Sequence, residues 1–114
     1  MVIKNQTKNT TIASKVVIAD TFLSRMAGLL NRDSFSENEA LIITRCQSIH
    51  MFFMRFCIDV IFVSKEHRVV GLAPHIKPFQ LSPVFFKSSY AVELQAGTIA
   101  KTQTSIGDEL GIQK

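Results

Sequence analysis

The sequence predicts a mainly β fold, of the sandwich or barrel type, with one short α-helix; an α+β arrangement is the alternative. Three observations carry this prediction. Most apolar residues fall in short alternating or unbroken runs, which are typical of β-strands. Turn-forming residues separate these runs. One segment, near Thr21–Leu30, instead repeats its apolar residues at the spacing of a helix.

The strand predictions follow in chain order. The run "TIASKVVIA" (Thr11–Ala19) alternates, and "ALIIT" (Ala40–Thr44) is short and apolar. The segments "SIHMFFM" and "IDVIFV" are predicted as the next two strands. A polar hairpin at Lys65–His67 then leads into a return strand, "YAVELQ" (Tyr90–Gln95) alternates again, and a Gly-Asp turn precedes a final short strand.

Two segments depart from this β pattern. In "DTFLSRMAGLLNR", Asp20 or Thr21 can cap a helix whose apolar stripe runs from Phe22 to Leu30. The region Ala73–Ser89 contains all three prolines, and a proline removes a donor from a strand ladder. We therefore predict a long loop there. Long loops in compact domains often bind partners, although its phenylalanines could instead pin a surface crossing to the core.

The totals indicate one soluble domain covering residues 1–114, because this length is near the commonest domain size and can bury its own core. Hydrophobic residues make up 46% of the chain and charged residues 19%, which is a globular composition. Cys46 and Cys57 belong to no Cys-x-x-Cys pair, and the first ten residues lack the apolar core of a signal peptide. We expect a cytoplasmic protein with reduced thiols.

Charge and hydropathy argue against two classes of partner. The net charge is +4, but the basic residues are scattered from Lys4 to Lys114, whereas nucleic-acid binding needs a concentrated basic patch. The most apolar window, Ile49–Val63, is shorter than the ~20 residues of a membrane span. It also carries Arg55 and Asp59. We expect neither nucleic acid nor a membrane span.

The order of four segments, "SRMAGLLNRDSF", "HMFFMRFCIDVIFV", "YAVELQAGT" and "IGDEL", resembles the uncharacterised DUF192 family. The match runs from about Asp20 to Leu110. The resemblance implies a sandwich-like or barrel-like fold with one helix, and it implies no established activity. Where the family often has Trp-Met and a proline before the Ile-Asp step, this chain has Phe53-Met54 and Cys57.

The middle of the chain gathers soft metal ligands, which suit Cu(I) or Zn²⁺. If this segment is a strand, Cys46, His50 and Met54 share one side, but the outer two lie ~26 Å apart at ~3.3 Å per residue. Such a spread cannot grip one ion, and methionine and cysteine also fill cores well. We therefore predict no metal site and no cofactor.

The charged residues within the apolar segments are the second group of candidates. Asp59 and Arg55 need partners if they are buried, and Arg32 and Glu93 carry the complementary charges. We predict a polar cluster of these four residues, which is either an ion-pair network that fixes strand register or a shallow site that grips an anionic ligand. His50 and Met54 are further candidate ligand-binding residues beside the same apolar wall.

Catalytic constellations are absent from the sequence pattern. A cysteine nucleophile needs an activating group close by, and the pattern of Cys57 near Asp59, with His50 and His75 elsewhere, does not identify one. His67 is interpreted as a solvated turn residue. We expect a non-catalytic module that binds a protein partner or a small anionic ligand. The alternative is a small enzyme acting on an anionic substrate through Arg32, Arg55, Asp59 and Glu93.

Overall fold

Two β-sheets form the framework of the chain. The computed structural model describes residues 1–19, 34–52 and 54–114. Strands β1 (Val2–Asn5), β2 (Thr10–Ala13) and β8 (Leu110–Gln113) form an antiparallel sheet in the order β2-β1-β8. The larger sheet has the order β3-β4-β7-β5-β6, and its strands are β3 (Lys15–Ala19), β4 (Glu39–Thr44), β5 (Ile58–Val63), β6 (Val69–Ile76) and β7 (Tyr90–Gln95). Only the β3–β4 pair of this sheet is parallel.

The larger sheet separates two hydrophobic cores. One face, with Ile61, Val92 and Leu94, packs with Ile3 and Leu110 of the smaller sheet. The other face carries Val60 and Phe62 and is covered by residues from the irregular segments, among them Phe35, Ile49, Met51 and Met54. Every residue of β5 is therefore buried, which explains why its sequence is apolar at every position except Asp59 instead of alternating.

The predicted fold class is confirmed: the structure is mostly β and includes a short helix. That helix, α1, spans Thr98–Lys101, where no helix was predicted. The predicted helix near Thr21–Leu30 lies outside the described residues. The predicted strands at Ala40–Thr44, "IDVIFV" and Tyr90–Gln95 are all present, with β4 beginning one residue earlier.

The predicted strand "SIHMFFM" is wrong. The described residues of 48–54 form no strand, and His50 makes only an isolated bridge with Leu81. The physical reason lies in the segment that pairs with them, because it contains Pro78 and Pro83, which have no N–H to donate to a regular ladder. The extended strand through His50, from which we predicted no metal site, is therefore not formed by the described residues.

Two other predicted boundaries differ from the structure. The run Thr11–Ala19 is divided at Ser14 into β2 and β3, which belong to different sheets. The loop predicted at Ala73–Ser89 begins later than predicted, because β6 continues through Pro74 to Ile76. A proline is tolerated in β6 since this strand lies at the edge of its sheet. Within the described ranges, no helix has the length and apolar character needed to cross a bilayer.

Candidate functional site

Asp59 lies on β5 and is fully buried. Its Oδ1 accepts a hydrogen bond of 2.8 Å from the backbone N–H of His75, and its Oδ2 accepts one of 2.8 Å from the N–H of Ile99 in α1. His75 has φ of 48°, a left-handed conformation that is uncommon for a residue other than glycine. The carboxylate thus joins the end of β6 to the start of α1. The sequence had instead suggested an arginine side chain as its partner.

Glu93 is also fully buried, but it faces the other way. It lies directly across from Val60 on β5 and Leu41 on β4, whereas Asp59 lies across from Leu94. Directly opposed residues of neighbouring strands share a face, so Glu93 and Asp59 project to opposite faces of the sheet. The structure does not bring these two predicted cluster members together.

The two arginines of the predicted cluster are placed differently. Arg55 precedes β5 and is exposed, whereas Asp59 lies within that strand and is buried. Arg32 lies outside the described residues. The contacts recorded for the Asp59 carboxylate are backbone N–H groups. Asp59 and Glu93 therefore do not line a single pocket on this sheet.

The remaining candidates, His50 and Met54, lie in the covering layer of the sheet. Met54 is buried in the core. His50 is half-buried, and its ring stacks on Phe52 with the ring centroids 4.9 Å apart. No group of three or more His, Cys, Asp or Glu side chains suited to a metal ion is found among the described residues.

A surface that the sequence only partly indicated includes His50. Residues 47–52 run antiparallel to residues 79–86, and we call this pair the apolar ribbon. Backbone hydrogen bonds hold the two segments together, for example from Phe79 N–H to the Met51 carbonyl (2.7 Å) and from Ser82 N–H to the Ile49 carbonyl (2.9 Å). The ribbon has a fixed backbone despite its lack of regular strand structure.

The two sides of the apolar ribbon have different surroundings. Ile49 and Met51 are buried in the core, and Phe85 packs against Phe62 at a centroid distance of 4.6 Å. Five large apolar side chains are instead between 43% and 80% exposed: Phe52, Phe79, Leu81, Val84 and Phe86. The inner contacts anchor the ribbon, so the outer side chains are presented to solvent on a supported backbone.

Sequence reasoning missed a polar network that links the chain ends. The side-chain amide of Asn5 donates to Asp108 Oδ2 (2.9 Å), and Lys8 Nζ lies 2.9 Å from the same oxygen. Burial acts to raise the pKa of Asp108, but hydrogen bonds from Asn5, Lys8 and Ser105 outweigh it and leave that pKa below its ordinary value. The Gly107-Asp108 step was interpreted only as a turn, although Asp108 is buried and accepts the hydrogen bonds of this network.

Comparisons with known proteins place the chain among relatives without an assigned activity. The model of the DUF192 family, described as "Uncharacterized ACR", matches residues 2–112. A UPF0127 protein of Thermococcus sibiricus is 36% identical over 110 residues, covering 93% of this chain and 71% of the relative. A UPF0127 protein of Pyrococcus furiosus is 35% identical over 112 residues, with 93% of each chain covered.

Two solved structures are similar in fold. A protein of unknown function from Novosphingobium aromaticivorans has a TM-score of 0.81 and 19% identity, covering 97% of this chain and 82% of that one. A Sinorhizobium meliloti protein described as a "putative transcription regulator" has a TM-score of 0.77 and 20% identity, covering 96% and 89% of the two chains. At these identities the likeness shows the shared fold alone.

Proposed function

Since the chain belongs to the DUF192 family, whose description states no activity, we propose from its surface that it is a small non-catalytic module that binds a protein partner through the apolar ribbon. The observation that carries this proposal is the exposure of Phe52, Phe79, Leu81, Val84 and Phe86 on one hydrogen-bonded ribbon. Each exposed apolar side chain forgoes about 25 cal/mol for every Å² that could be buried. Burial against a partner would recover that free energy.

The composition of the ribbon fits a protein interface. Aromatic side chains are enriched at interfaces and dominate their binding energy, and three of the five exposed residues are phenylalanines. The backbone hydrogen bonds also reduce the ordering that binding would require, which favours affinity. We therefore propose a partner with a complementary apolar surface.

The enzyme alternative has weaker support. Asp59 and Glu93 face opposite sides of the sheet, so one substrate would not contact both carboxylates. Both oxygens of Asp59 already accept backbone hydrogen bonds. A general acid or base must reach the proton that it transfers, and this geometry directs the Asp59 carboxylate at the protein's own backbone. The non-catalytic module is the better-supported proposal.

We also propose the cytoplasm as the location, because a chain with two cysteines lacks the dense disulfide framework that is typical of small secreted domains. Fractionation of cells that produce the protein tests this. Recovery in the soluble cytoplasmic fraction is expected, and recovery in the membrane or external fraction would contradict it.

Site-specific photo-crosslinking tests the proposed surface. A photoreactive amino acid replaces Leu81 in the ribbon or, as a matched control, Ile106, which is 66% exposed in a turn. We expect one discrete crosslinked protein from Leu81, none from Ile106, and loss of the Leu81 product when Phe86→Ser is added. Equal products from both positions, or a product made of two copies of this chain, would contradict the proposal.

The control for folding is the melting temperature of Phe86→Ser. Phe86 is 80% exposed, so its replacement should change stability by no more than about 0.5 kcal/mol. Once the crosslinked partner is identified by mass spectrometry, its affinity is measured for the purified wild type, Phe86→Ser and Ile106→Ser. An affinity that Phe86→Ser lowers and Ile106→Ser leaves unchanged supports the ribbon as the binding surface.

A further inference from the structure

A cleft of about 510 Å³ lies beside the turn that connects β5 to β6. We call it the basic cleft, and its lining includes Ser64, Lys65, Glu66, Arg68, Lys87 and Ser89. Val70 contributes an apolar part of the surface. The residues come from two regions of the chain, the β5–β6 turn and the segment that leads into β7. The fold therefore gathers cationic side chains that are separated in the sequence.

The charges in the basic cleft do not cancel. Three cationic side chains, Lys65, Arg68 and Lys87, share it with one acidic side chain, Glu66. Glu109 approaches Arg68 from outside the lining, with Nη2 and Oε1 3.9 Å apart, but both side chains are about half exposed. Solvent-exposed pairs of this kind contribute little and leave the guanidinium able to bind another anion.

The walls of the basic cleft are held in place by backbone hydrogen bonds. Ser64 N–H donates to the Arg68 carbonyl (2.8 Å), and Ser89 N–H donates to the Val63 carbonyl (2.7 Å). Ser64 Oγ accepts a hydrogen bond from Arg68 N–H, so the Ser64 hydroxyl can direct its own proton to another acceptor. Two serine hydroxyls thus accompany the three cations.

We propose that the basic cleft binds the oxyanion group, a phosphate or a carboxylate, of a small molecule. Lysine ammonium groups, a guanidinium fork and hydroxyl donors all recognise oxyanions. The volume is within the range of small-molecule sites. An extended polyanion is less suited, because the other basic residues are scattered along the chain. Arg55, Asp59 and Glu93 of the predicted charged cluster are not among its described lining residues. The site does not depend on the proposed protein partner.

Titration of the ¹⁵N-labelled full chain with inorganic phosphate at low ionic strength tests this site. We expect saturable shifts at the amides of Ser64, Lys65, Arg68, Lys87 and Ser89. The double variant Lys65→Ala with Lys87→Ala should bind about tenfold more weakly, since it removes two of the three cationic side chains that line the cleft. The double variant Lys4→Ala with Lys114→Ala, which removes two exposed lysines outside this lining, is the matched control and should bind as the wild type does.

Three outcomes would overturn the proposal. Shifts that do not saturate would mean that phosphate only screens the surface charge. An equal loss of affinity in the control variant, Lys4→Ala with Lys114→Ala, would show an effect of net charge rather than of this cleft. Tighter, steeply salt-dependent binding of a DNA duplex at the same amides would assign the surface to nucleic acid. A melting temperature measured for each variant ensures that the compared proteins are folded.

Discussion

The ring of Phe85 lies directly over Gly71 of β6. A Cβ atom added at Gly71 would fall 2.4 Å from the ring carbon Cδ1, far closer than such atoms approach in proteins. The same ring packs on Phe62 of β5. This contact fastens the apolar ribbon to the larger sheet, and it requires the residue at position 71 to lack a side chain.

Gly71→Ala should therefore destabilise the protein by about 1–3 kcal/mol, the usual cost of forcing extra volume into a packed core. Gly111→Ala is the matched control in β8. Its added Cβ would meet the end of the Gln6 side chain, which is exposed and can move. Urea denaturation of the two variants checks the difference. Equal stabilities would mean that the Phe85 ring is not fixed over Gly71.

The contrast between strands β5 and β7 and the irregular residues 48–52 shows which parts of the fold a single sequence can predict. The β5 and β7 strands were predicted from patterns in their own residues: a run interrupted only by Asp59 in β5, and alternation in β7. Residues 48–52 carry similar side chains but form no strand. Their structure depends on pairing with a proline-containing segment about 30 residues later, which no local pattern reveals.

The candidate site was predicted less completely for a related reason. Asp59 was predicted to need partners if it is buried; it is buried, and its partners are the backbone N–H groups of His75 and Ile99. Backbone donors leave no trace in residue identity, whereas a charged side chain does. Whether Asp59 and Glu93 share a face depends on the register of β5 against β7, which only the folded sheet specifies.

Asp59→Asn should lower the free energy of unfolding by about 2–3 kcal/mol. An asparagine offers one oxygen acceptor where the carboxylate has two, so one of the two buried N–H groups would face an amide donor. Glu109→Gln provides a control, because the Glu109 carboxylate is about half exposed and its contact with Arg68 is long, at 3.9 Å. Chemical denaturation at neutral pH measures both. A loss no greater than that of the control would contradict the structural role assigned to Asp59.

Acid should weaken the protein through Asp108. Its pKa in the folded state lies below its ordinary value, despite burial acting to raise it, because Asn5, Lys8 and Ser105 donate to its carboxylate. The stability that it contributes is therefore present above the unfolded pKa of about 3.9 and is lost as pH falls through the lower folded pKa. Denaturation curves between neutral pH and about pH 2 measure the loss.

Asp108→Asn identifies the source of this acid dependence. The variant should be less stable than the wild type at neutral pH, because it gives up the ion pair with Lys8. Its stability should also fall less steeply as pH decreases, since the titrating carboxylate is gone. Glu109→Gln, the neighbouring substitution, should keep the wild-type slope. An unchanged slope in Asp108→Asn would place the acid dependence elsewhere.

Alkali should weaken the protein through Tyr90, and the sequence makes this measurement clean because the chain has one tyrosine and no tryptophan. Burial raises the pKa of Tyr90 to about 12. The unfolded chain ionises near pH 10, so stability is fully present below about pH 10 and falls as pH rises toward 12, by on the order of 2 kcal/mol. The tyrosinate absorbance of the folded protein should have its midpoint near pH 12.

Tyr90→Phe should be less stable than the wild type by about 1 kcal/mol at neutral pH, because it loses the hydrogen bond to His67 Nδ1 (2.8 Å). Its stability should also fall less steeply as pH rises into the alkaline range. A tyrosinate midpoint near 10 in protein that circular dichroism shows to be folded would mean that the Tyr90 hydroxyl is not buried as the structure has it.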